Sequence, residues 1–180
     1  EAILAWWESN RAAGLCSMLF CYALGKAQRL LAELHARCDR PIYIHGALEA
    51  LTEAYRRDGV ALPETINATQ APRKDGFAGE LVLAPPSASR SSWMKRFRKV
   101  ETGFASGWMR VRGIRRGRGW DRGFVLSDHV DWPGIVETVQ ETGARQVLAT
   151  HGRTDMLVRY LTEQGVDARA LSTAYGDEDD

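Results

Sequence analysis

Cysteine is scarce in this 180-residue chain: Cys16, Cys21 and Cys38 are an odd set without CxxC spacing. Such a set builds neither a disulfide framework nor a thiolate zinc knuckle. Histidine is nearly as rare. His35, His45, His129 and His151 show no HxH, HxxxH or HExxH spacing, so no complete three-ligand zinc site is visible. Long apolar runs are also missing. The stretch from Leu15 to Leu24 is among the longest, far short of the roughly 18 residues a membrane helix needs. No secretory leader is found, and a reduced, cytoplasmic setting is expected. For the same reason the Asn67-Ala-Thr69 glycosylation pattern is read as chance.

What is present is ordinary globular material, 44% hydrophobic and 26% charged, which excludes a disordered tail, a collagen-like fibre and a coiled-coil rod. The net charge is only +1, but it is unevenly spread. Arg90 to Arg122 holds eleven Lys or Arg against Glu101 and Asp121, a local +9, while Gly176 to Asp180 carries four acids. One concentrated basic stretch in a near-neutral chain points to a polyanionic partner, with a merely solvated face as the competing reading. Within it, cations alternate with Trp93, Phe97, Phe104, Trp108 and Trp120. Cations bind phosphates and flat rings stack bases, as in single-strand grooves, although the same rings serve equally as core.

Strand and helix signals alternate along the chain. An apolar run from Ser17 to Leu24 fits a strand buried on both faces, and Gly25 breaks it. Lys26 to Arg37 then places Leu30, Leu31 and Leu34 on one helical face. Pro41 to His45 and Leu81 to Ala84 read as strands, with a helix from Ala47 to Arg57 and a loop from Glu64 to Gly79. Further on, strands are expected over Thr102 to Val111, Gly123 to Ser127, Gln146 to Thr150 and Asp167 to Leu171. Helices are expected from Trp132, capped by Asp131, to Glu141, and from Thr154 to Gln164. This alternation implies an α/β fold, a parallel sheet with helices on both faces. The chain opens at Glu1 in helix-like sequence, so a fragment of a longer protein is expected.

Two histidines follow predicted strands, His129 after Phe124-Val-Leu-Ser-Asp and His151 after Val147-Leu-Ala-Thr. A right-handed crossover between the strands brings both to one sheet edge, where open α/β sheets bind ligands. Imidazole serves there as metal ligand or general acid, and Asp128 or Asp131 can add a carboxylate. Two histidines that merely finish loops are the plain alternative. Ala23-Leu24-Gly25-Lys26 has the outline of a phosphate-binding turn, a glycine opening a helix with a lysine beside it, but lacks the rest of a P-loop. His45 is read as structural, and His35 is given no role.

Five stretches together resemble the ligase-associated DNA damage response exonucleases, metallo-β-lactamase nucleases with an inserted β-CASP domain. They are Tyr22-Ala-Leu-Gly-Lys-Ala-Gln-Arg-Leu30, Pro41-Ile-Tyr-Ile-His-Gly46, Ser106-Gly-Trp-Met-Arg-Val-Arg-Gly113, Arg122-Gly-Phe-Val-Leu-Ser-Asp-His-Val-Asp-Trp-Pro133 and Thr150-His-Gly-Arg-Thr154. The resemblance implies a β-CASP domain, a Rossmann-like parallel sheet, over 1–122. It implies the C-terminal part of a metallo-β-lactamase αββα domain over 123–180. It further implies two zinc ions, His129 as proton donor to the leaving oxygen, and His151 as a zinc ligand. Substrate contacts are expected from Lys26, Ser127, Arg112, Arg115 and Arg116. The family's His-x-His-x-Asp-His motif is absent and is expected upstream of Glu1, so the chain alone should be inactive. Val130 and Arg153 also depart from the family pattern. The expected activity is hydrolysis of DNA phosphodiesters in repair, beside an ATP-dependent DNA ligase. Processing of RNA 3′ ends by the same machinery, or a non-catalytic nucleic-acid-binding module, are the alternatives.

Overall fold

Cys16–Phe20 is apolar but for Ser17, and all five residues are buried, the signature of a strand covered on both faces. In the computed structural model, which describes residues 1–72, 74–110, 119–150 and 154–171, this strand (β1) lies inside a six-stranded sheet. The others are β2 (Ile42–Ile44), β3 (Thr65–Asn67), β4 (Leu81–Ala84), β5 (Val100–Ala105) and β6 (Arg122–Phe124). Their order is β3-β2-β4-β1-β5-β6, and every pairing is parallel. The α/β expectation is therefore met by a parallel sheet with flanking helices.

Side chains of β1 alternate between two cores, as the two-residue period of a strand requires. Leu19 joins Trp6, Trp7, Leu31, Ile44 and Leu48 in one cluster. Met18 and Phe20 join Phe77, Phe97, Phe104 and Met109 in the other. The first cluster is covered by α1 (Ala2–Ala12), α2 (Lys26–His35) and α3 (Gly46–Arg57). Trp7 is wholly buried, donates its indole N–H to Gly79 O at 3.0 Å and lies 4.3 Å from the Arg40 guanidinium.

Two expectations shift. The stretch Thr65–Asn67, read as loop, is a strand, because its backbone pairs with β2 although its side chains are only half-buried. The strand expected from Thr102 to Val111 begins at Val100 and stops at Ala105. There the Ser106 hydroxyl accepts the Trp108 N–H at 3.3 Å and a 3-10 turn, Gly107–Arg110, follows.

The chain separates into two compact units after Asp128. β6 pairs with β5 and lies in the first unit. In the second unit, β7 (Gln146–Ala149) and β8 (Asp167–Ala170) pair in parallel around the crossover helix α5 (Thr154–Glu163). Its other helix, α4 (Trp132–Thr142), starts where Asp131 Oδ1 accepts the Gly134 N–H at 3.0 Å. It ends at Gly143 in the left-handed conformation, φ 61°.

Candidate functional site

Strands β1, β5 and β6 run in parallel, so the turns after Phe20, Ala105 and Phe124 leave the sheet at one edge. Carboxyl edges of this kind are where open α/β sheets carry their ligands. After β1, the chain turns through Tyr22 to Gly25, with Ala27 N–H bonded to Tyr22 O, and enters α2 at Lys26. Gly25 has φ +76°, and a Cβ there would sit 2.9 Å from Asp128 Oδ2, so glycine is required twice over. After β5, Ser106 N–H donates to Phe124 O and Ser106 O accepts from Leu126 N–H. A Cβ on Gly107 would sit 3.4 Å from that of Ser127.

Three stretches distant in sequence thus meet on Ser127 and Asp128. Lys26, only 4% exposed, brings its Nζ to 3.1 Å from Asp128 Oδ1 and 4.7 Å from the Tyr22 ring centroid. Arg29 donates to Ser127 O. The Lys26 ammonium thus pairs with a carboxylate of the protein, at the turn where a phosphate contact is expected. Its neighbour Cys21 is fully buried, and burial pushes the thiol up to about 12. Lys26 opposes that shift and Asp128 adds to it. Cys16 is likewise raised to about 12, by burial first and by Glu80 second. Both are held as protonated thiols, which are poor nucleophiles.

Ser127 is exposed at this edge, and His129, also exposed, is the first residue of the second unit. His151, Arg112, Arg115 and Arg116 lie outside the described residues. The inference that the strands before His129 and His151 share one sheet does not hold. β6 pairs with β5, whereas β7 pairs with β8 in a second sheet. Alternating strands and helices fix that strands are parallel, not which sheet each one joins. Asp131, considered as a ligand, is the N-cap of α4. His45 caps α3, its Nδ1 accepting the Ala47 N–H at 3.0 Å, and burial lowers its pKa. That matches the structural reading. His35 is the exposed last residue of α2.

The aromatics of the basic stretch sort themselves. Phe97 and Phe104 are buried, and Trp120 stacks on Phe104 with centroids 5.5 Å apart. Trp93 packs on Phe97 and donates its indole N–H to Thr69 Oγ1. Trp108 differs, being 44% exposed while its neighbour Met109 is in the core. The resemblance implies zinc, but among the described residues no three His, Cys, Asp or Glu side chains form a metal-holding group.

No family model matches the chain. A curated protein of Opitutus terrae, described as a probable DNA ligase, is 30% identical over 154 residues, which cover 86% of this chain. They cover 15% of that protein, so the chain spans a small part of the relative's length. Among the described residues no helix is long and apolar enough to cross a membrane.

Proposed function

We propose that this chain is part of a DNA exonuclease of the metallo-β-lactamase/β-CASP kind, working beside a DNA ligase. The observation that carries the reading is the convergence on Ser127 and Asp128. Three of the five stretches that resemble those nucleases, separated by up to about a hundred residues, touch one another at a single carboxyl edge. The likeness to a probable DNA ligase supports the association with DNA. The basic stretch supports a polyanionic substrate.

In this reading Lys26 and Arg29 hold the strand exit, and the next residue along the chain, His129, acts on the substrate. Water attacks phosphorus and gives up a proton to solvent, the P–O bond to the leaving nucleotide breaks, and His129 protonates the departing oxygen and regains its proton from solvent. Imidazole suits that task because it titrates near neutral pH. Metal chemistry falls to groups other than the described residues, with His151 the one ligand this chain is proposed to add.

The full-length protein, given end-labelled DNA and a divalent cation, should release nucleotides progressively from an end. DNA that is bound but stays intact with every cation tried would overturn the nuclease reading and leave the binding module.

A further inference from the structure

We propose that Tyr22 and Trp108 form a stacking platform for the unpaired bases of a single-stranded DNA end. The inference rests on the nucleic-acid reading above and names the part of the edge that grips bases, as distinct from phosphates. Tyr22 is 43% exposed and Trp108 44% exposed, an unusual position for large rings in a unit that buries most of its other aromatics. They leave neighbouring strands at matched heights. Phe20 pairs with Phe104 in the β1–β5 register, Tyr22 follows two residues later and Trp108 four. The strands are about 4.8 Å apart, so both rings start from one short stretch of the edge.

Each ring is also held. The Lys26 ammonium lies against the Tyr22 ring at 4.7 Å. The Trp108 backbone is fixed by Ser106 Oγ, and burial of Met109 anchors the turn behind it. Both turns abut the Ser127–Asp128 segment, through Gly107 and Gly25 respectively. Leu24 and Val125, 62% and 60% exposed, add apolar surface in the adjoining turns. Such a patch alone does not choose its occupant. The charge does: Arg110, exposed at the end of the Trp108 turn, and Arg29, exposed on α2 and donating to Ser127 O, place cations at this edge. Exposed rings beside cations fit a nucleic-acid strand, bases on the rings and phosphates on the cations.

The test measures binding of the full chain to a short oligothymidylate and to an abasic oligomer of equal length, which keeps the phosphates and lacks the bases. Stacking contributes about 1–3 kcal/mol per base, so Tyr22→Ala and Trp108→Ala should each weaken oligothymidylate binding by about 5- to 150-fold. Both should bind the abasic oligomer within about twofold of wild type, and Trp108→Phe should retain most of the affinity. Equal losses on both oligomers, or no loss on either, would overturn the platform and leave the nucleic-acid reading standing. A wild-type chain that binds neither oligomer would overturn both. Circular dichroism melting of each variant separates a lost ring from a lost fold.

Discussion

Replacing His129 by alanine in the full-length protein should lower the rate of DNA hydrolysis by about 10²–10⁴-fold, the usual loss on removing a general acid. Bound zinc should stay near the wild-type level, because His129 is proposed to give a proton and not to hold a metal. His151→Ala should differ: zinc and activity should fall together, since its imidazole is proposed as a ligand. Metal analysis of the two variants beside single-turnover rates separates the roles. Equal zinc loss in both would contradict the division, and an unchanged rate in His129→Ala would remove the proton donor.

The second large effect is expected at the Lys26–Asp128 pair. Removing one member of a buried ion pair strands the other charge, at about 3–5 kcal/mol when that charge is fully enclosed. The two members differ in burial, with side-chain exposures of 4% for Lys26 and 26% for Asp128. Asp128→Ala, which strands the enclosed lysine, should therefore destabilise by about 3–5 kcal/mol. Lys26→Met leaves a carboxylate that water already reaches, and should cost less, about 1–3 kcal/mol. The double variant Lys26→Met with Asp128→Leu strands neither charge, and should be more stable than Asp128→Ala alone. Denaturant midpoints of the three variants test this. A larger loss in Lys26→Met than in Asp128→Ala would contradict the burial argument.

The parts of the fold legible in the sequence are those whose signals are local. β1 shows as an apolar run, α2 as Leu30, Leu31 and Leu34 on one face, and α4 as Asp131, Pro133 and Gly143 at its ends. β3 was not legible. Its residues are half-buried and lie next to turn-forming sequence, and the pairing with β2 that makes it a strand is tertiary. The site divides in the same way. The glycine turn at Gly25 and the Ser127-Asp128 exit are visible as separate motifs. Their union through Lys26 joins residues about a hundred positions apart, and no periodicity reports it. Trp108 is one of five aromatics in the basic stretch that composition alone does not divide between core and groove. Only the packing of Met109, Phe97 and Phe104 shows which ring faces out.

A nucleic-acid strand is proposed to lie along the carboxyl edge of β1, β5 and β6. Photo-crosslinking places the strand directly: the protein is irradiated with iodouracil-substituted single-stranded DNA, and the attached peptides are identified by mass spectrometry. Crosslinks within residues 22–30, 106–110 and 125–129 are the predicted result. Crosslinks confined to the outer surfaces of α1 and α3, with those three turns unmodified, would contradict it.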